Sequence, residues 1–292
     1  MERRTLAVID LNAEAAKLTM LRGRTPQTTF AERRNSGSAV HLGRYRDGML
    51  LLAKSAGKSH WETHPEDELL YVLDGEMTVD IVEKDGPKSF VVGAGMIAIV
   101  PPGAWHRVHS ADGMTVASAT LPGDHIELDI DDPRPVLPTT ASSQETALGG
   151  EIESKPPRLI DLNAELAKRT MYRRSPESPA ADRKGSAAQL ASYRDGLLLA
   201  IKAAGKDHWE RHLTGDELIF VLDGTAALEM VCDDGPPKSF ALSAGTIATI
   251  PQGAWHRFHS AEGFAQIAVT PFPGETIERD VDDPRGVESR AI

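Results

Sequence analysis

An all-β protein built twice from one block is the architecture the sequence predicts, on three observations. The stretch HWETHPEDELLYVLDG, residues 60 to 75, recurs almost residue for residue as HWERHLTGDELIFVLDG, residues 208 to 224. Short apolar runs rich in Val, Ile and Leu alternate with Gly, Asp and Pro turn signals, and long helical periodicities are few. A chain of 292 residues with 40% hydrophobic content is long enough for two cores, one per copy of the block.

Composition narrows the partners. Acidic residues outnumber basic ones, 43 to 32, for a formal net charge of −11, and no Lys/Arg block supplies the footprint of a nucleic-acid or anionic-membrane binder. A small-molecule ligand is the expected partner, with a homo-oligomer as an option. Cys232 is the one cysteine, which excludes an intramolecular disulfide and suits a reducing compartment. Beside Asp233 and Asp234 its thiol is a poor nucleophile, since neighbouring carboxylates raise a thiol's pKa. The opening MERRTLAVIDLNAEAAKL has no unbroken apolar core of a signal peptide, and no 18-residue apolar span occurs anywhere. The expectation is a soluble cytoplasmic protein.

Taken in order, each block opens on a short helix: VIDLNAEAAKLTMLR at 8 to 22 and LIDLNAELAKRTMYR at 159 to 173. Asp10 or Asn12 can cap the first, Glu14 sits in its positive first turn, and Leu11, Ala15 and Leu18 share a face. Polar stretches bearing Pro and Ser follow. YRDG at Tyr45 and again at Tyr193 then makes a turn into an apolar strand, MLLLAK or LLLAIK. Next comes the repeated HWExH segment, whose apolar run ends in Asp74-Gly75 or Asp223-Gly224, a hairpin signal. DGPKSF and DGPPKSF form a further turn, and the blocks close on DIDDPR and DVDDPR, taken as charged turns. Residues 135 to 157 have the Pro, Ser, Thr and Gly bias of a linker, dividing the chain into domains 1 to 134 and 158 to 292.

Chemistry concentrates in two segments of each block. In an extended strand alternate side chains share a face, so His60, Glu62 and His64 point one way, as do His208, Glu210 and His212. Glu68 and Glu217 follow within a few residues. The other segment is GMIAIVPPGAWHRVHS, residues 95 to 110, repeated as GTIATIPQGAWHRFHS, residues 245 to 260. Glu62-x-His64-x3-Glu68-x6-Gly75 resembles the first motif of the cupin superfamily, and Gly95-x5-Pro101-x-Gly103-x2-His106 resembles the second. Glu210-x-His212-x4-Glu217-x6-Gly224 and Gly245-x5-Pro251-x-Gly253-x2-His256 repeat both, so the chain resembles a bicupin over roughly 80 residues of each block.

That resemblance implies two tandem cupin-type jelly-roll β-barrels with short N-terminal helices, their cores spanning about 42 to 121 and about 190 to 272. It implies a divalent metal ion in each, held by Glu62, His64, Glu68 and His106 in the first and by Glu210, His212, Glu217 and His256 in the second. The family's first motif usually begins His-x-His, and Glu62 and Glu210 stand at the first of those positions. Glu62 and Glu210 complete the sites, or His60 and His208 do, or each site has three protein ligands. A strand rise of ~3.3 Å per residue sets His60 about 13 Å from His64 and favours the glutamates. The family's usual Asn near the end of the second motif is Ser110 or Ser260 here, expected beside the ligands. Glu62 and Glu68, as facing like charges, should raise one carboxylate pKa in the metal-free protein.

Two histidines and two carboxylates leave a divalent ion formally near neutral, favouring Mn or Fe, with Zn or Ni also possible. An octahedral ion so held keeps two open positions. A metal-dependent enzyme on a small organic molecule, dioxygenase-like by family frequency, is the leading reading. Its rivals are a non-catalytic binding or sensing bicupin, an isomerase or decarboxylase, and a storage bicupin, which would not need the ligands twice. Trp61, Trp209, Trp105 and Trp255 read as packing residues, and His109 and His259 as outward-facing. Val108 against Phe258 is the expected difference between the two pocket walls.

Overall fold

The structure is a computed structural model that describes residues 6–137, 155–178, 180–232 and 235–291. It is β-rich, as the periodicity predicts, and divides into two compact units. One consists of residues 17–161; the other joins the residues up to Ala16 to those from Leu162 onward. These limits differ from the expected 1–134 and 158–292 because each block's opening strand belongs to the other block's unit. Ala7–Asp10 pairs antiparallel with Thr246–Ile250, and Arg158–Asp161 pairs with Met96–Val100. The opening strands AVID and RLID are close copies, as are the strands that receive them, so pattern alone does not choose the partner. Of the expected linker, residues 138–154 lie outside the described residues.

In the unit holding the first repeat, the strand path among the described residues runs Asp124–Ile126, Trp61–Thr63, His106–Thr120, Glu68–Glu83, Met96–Val100, Arg158–Asp161. Gly48–Lys58 adds to His106–Thr120, and Gly86–Gly93 adds to Glu68–Glu83. The other unit repeats this plan through Trp209–His212, Glu217–Met230, Thr246–Ile250 and His256–Pro271. Asp10 caps the helix Leu11–Lys17 by accepting from the Ala13 N–H at 2.9 Å. A second short helix, Phe30–Asn35, forms within the polar stretch that follows, started by a reciprocal capping box of Thr29 and Glu32.

Asp74-Gly75 does not reverse the chain. The strand Glu68–Glu83 runs through it, and both halves of that strand pair with His106–Thr120 across register shifts at Val72/Asp74 and Gly75/Thr78. Gly75 has φ +80°, and a Cβ there would fall 2.2 Å from the Gly113 carbonyl oxygen, so the dipeptide makes a bulge that bends a continuous strand. Asp223-Gly224 does the same in the second repeat. A left-handed glycine serves a bulge as well as a hairpin, which is why the sequence signal misleads. Ser110 and Ser260 close the partner bulge by accepting from the Gly113 and Gly263 N–H groups at 3.0 and 2.9 Å, and so are structural.

The closing DIDDPR and DVDDPR segments are strapped down. Trp61, fully buried, donates its indole N–H to the Ile130 carbonyl at 2.9 Å. Arg107 covers the ring at 4.5 Å, donates to the same carbonyl, and bonds Asp80 at 2.8 Å. Trp209, Val281 and Arg257 repeat the arrangement, with Glu229 in the place of Asp80. The tryptophans are thus packing anchors.

Candidate metal centre

Three of the four candidate ligands in each unit come together, with a different glutamate in each: Glu62 in the first and Glu217 in the second. The short strand Trp61–Thr63 carries Glu62, which lies directly opposite His106 in the neighbouring strand. His64 follows at the strand's end, and Glu68 opens the next strand. Glu62, His64 and His106 each offer a ligand atom within 4.8 Å of the others. Glu68 Oε2 lies 2.9 Å from His106 Nε2 and 3.7 Å from His64 Nε2. In the second repeat His212, Glu217 and His256 are equally close, and Glu210 Oε1 is 3.8 Å from His256 Nε2. His60 meets the outer side of Glu62, at 3.3 Å.

Donor satisfaction tests whether these groups suit a metal. Both ring nitrogens of His64 and of His212 are buried without a hydrogen-bond partner, whereas His256 Nε2 and Glu217 Oε2 face each other at 3.0 Å. Native interiors rarely leave such atoms unpaired, and a cation at the centre of each cluster would satisfy them together. Orientation fits as well: His106 Nδ1 and His256 Nδ1 sit 3.0 Å from the carbonyls of Ala104 and Ala254, two residues back. Donating there fixes the tautomer and turns Nε2 inward as the ligand atom. The Thr270 hydroxyl orients Glu217 at 2.6 Å. The residues therefore fit a divalent ion, one cluster per unit.

Electrostatics differ from the expectation of like-charge repulsion. Burial opposes ionisation of Glu62, but the hydrogen bond from His60 and the nearby His106, His60 and His64 outweigh it and hold the carboxyl well below its usual range. Glu217 is held down likewise, and Glu210 to about 2, by their histidines. His106 is pushed the other way: burial disfavours its charge, yet the Glu68 hydrogen bond with the charges of Glu68 and Glu62 raises it to about 9. Without metal, each cluster is a buried set of imidazole–carboxylate pairs.

Sequence reasoning missed a pair of arginines in each unit near the cluster. Arg24 and Arg33 both feel the charge of Glu62. In the second unit Arg174 is ion-paired with buried Asp207, and Arg183 Nη2 lies 3.9 Å from Asp207 Oδ1. These arginines fall in the polar stretches after each opening helix. Their recurrence at matching places in both copies was the available signal. His125 stands opposite Glu62 in the paired strand, its ring tilted 41° to that of His60 with 5.1 Å between centroids.

Fold and clusters together define a duplicated β-rich protein with one candidate metal centre in each half. The cupin domain family model matches residues 48–119 and 197–266, and the chain belongs to the cupin superfamily as a bicupin. Among solved structures it is similar to an oxalate decarboxylase, with 14% identity, TM-score 0.51, and coverage of 82% of this chain and 74% of that one. It is similar to the Bacillus subtilis oxalate decarboxylase studied for its Mn(II) centres, with 14% identity, the same coverage and TM-score 0.50. A cupin 2 conserved barrel domain protein from Leptotrichia buccalis aligns at 13% identity and TM-score 0.50, over 80% of this chain and 88% of that one. At such identities the likeness is one of fold. No curated protein sequence matches the chain, and no helix among the described residues is long and apolar enough to cross a membrane.

Proposed function

We propose that this bicupin is a metal-dependent enzyme of dioxygenase-like chemistry acting on a small organic molecule. A divalent ion, Mn or Fe before Zn or Ni, is held by Glu62, His64, Glu68 and His106, and a second by Glu210, His212, Glu217 and His256. The observation that carries the reading is the trio of two histidines and one carboxylate within 4.8 Å in each unit. That donor set, with open positions, is the kind used for non-haem iron oxygenation. When bound, the ion would supply a Lewis-acidic, redox-capable centre with room for a substrate oxygen.

The chain's own groups do the rest. His106 and His256 are aimed by backbone carbonyls, and burial of the clusters keeps bulk water from the reacting atoms. A non-catalytic role is favoured for the second unit by one contact: Phe258 sets its ring edge-on to His256, 6.1 Å between centroids, where the first unit has Val108. To test the function, metal-free protein is loaded anaerobically with Fe(II) or Mn(II), and O2 uptake is followed over catechols, flavonols, diketones and sugar acids. Metal-dependent uptake abolished by His106→Ala supports it. Full metal occupancy without uptake or product from any of these compounds counts against it.

A further inference from the structure

The duplication provides an internal control for the arginines beside the clusters. Arg24 pairs in parallel register with Gly57, and Arg174 with Gly205. Two residues further along stand Ser59 in the first unit and Asp207 in the second. Both are buried, Ser59 at 0% and Asp207 at 4% exposure. Asp207 is ion-paired with Arg174 and lies within 3.9 Å of Arg183, so the second unit supplies its arginine pair with an internal counter-charge.

The first unit keeps the arginines and lacks the carboxylate. Arg24 is 6% exposed, and its Nε has no hydrogen-bond partner. No ion pair is made to it among the described residues. Arg33, over the Phe30 ring at 5.3 Å, also has a buried Nε without a partner. Ser59 cannot substitute: its hydroxyl is engaged by the Val108 N–H and the His60 carbonyl, each at 2.9 Å. The negative charge near the two guanidiniums is Glu62, itself turned toward His64 and His106. A buried guanidinium without an anion is costly, and a fork of donors matches a carboxylate.

We propose that the first unit binds a small organic carboxylate, whose carboxylate group occupies, between Arg24 and Arg33, the place Asp207 fills in the second unit. This deepens the proposed function, since it rests on that cluster being the substrate site, and it assigns the two units ligands of different charge. The first selects an anion; the second, having its own carboxylate, rejects one.

The test titrates malonate and acetate, with malonamide and acetamide as neutral controls and inorganic phosphate as a second oxyanion, into the full-length protein by calorimetry. It is run metal-free and again Mn(II)-loaded, so that failure of metal binding and failure of carboxylate binding are separate readouts. The expected result is one carboxylate per chain in both states and no binding of the amides. Arg24→Gln should weaken it about 10- to 100-fold, the span expected for a charge-assisted hydrogen bond, with Arg24→Lys in between. Ser59→Asp should block the site, and Asp207→Ser should open a second one. Because Ser59→Asp loads a buried position, circular dichroism accompanies each variant, and Arg24→Gln with Asp207→Ser decides the matter if it fails to fold. Phosphate bound more tightly than either carboxylate, carboxylate binding indifferent to Arg24→Gln, binding seen only with metal, or two equivalent sites in the wild type would each overturn the proposal.

Discussion

His106 Nε2 and Glu68 Oε2 lie 2.9 Å apart in the interior of the first unit. With His106 raised to about 9 by Glu68 and Glu62 against the pull of burial, the imidazole is protonated at neutral pH in the metal-free protein. A metal must displace that proton. Affinity at the first site should therefore climb from pH 5 to 8, about tenfold per unit for each proton displaced, as read by competition with a chelator. The sign reverses for the metal-free fold. A histidine raised above its unfolded value of ~6.5 stabilises fully below that pH and loses the contribution as pH rises through about 9. Glu62, held below its usual range, stabilises above ~4.3 and loses that contribution in acid. Urea unfolding with chelator present should show the alkaline loss in wild type and not in His106→Gln. A metal affinity flat across pH 5 to 8 would contradict histidine ligation.

The two units should not share the work equally. Phe258 is buried and packs against both His256 and Phe264, so a phenyl ring stands beside the ligand histidine of the second cluster where the first has the smaller Val108. Once an activity or ligand is known, His64→Ala should remove nearly all of it and His212→Ala little. Equal losses of about half from each would contradict this. Val108→Phe should depress the first site as well.

Stability should depend on the tryptophan straps. Trp61→Ala removes a fully buried ring, an indole hydrogen bond and the seat of Arg107. A loss of about 3–5 kcal/mol is expected from denaturant midpoints, and a similar one for Trp209→Ala. Arg107→Ala removes one of the three groups, with His109 and Ser89, that hold the Asp80 carboxylate below its usual range despite burial. Its cost should be smaller, because Ser89 at 2.6 Å and His109 at 3.3 Å still partner Asp80.

How far the sequence speaks depends on the range of the interaction. The period-two spacing of Glu62 and His64, and the Pro-x-Gly-x-x-His spacing before His106, are local, and they brought the candidate ligands into view. Tyr45-Arg46-Asp47-Gly48 was legible for the same reason, since Arg46 at φ +53° fits a tight turn between two strands. What stayed hidden was non-local. Asp74-Gly75 has one local signature for two outcomes, and strand pairing chose the bulge. The exchanged opening strands are near-copies that only tertiary packing can sort. Arg24 and Asp207 carry no local mark, because their burial is imposed by strands distant in sequence.

Elemental analysis of purified and metal-reconstituted protein tests the central claim most directly. The account predicts about two divalent ions per chain, falling to about one in His106→Ala and about one in His256→Ala, with nearly none in the double variant. A folded wild-type protein that takes up no metal on reconstitution, or single variants that keep both ions, would contradict it.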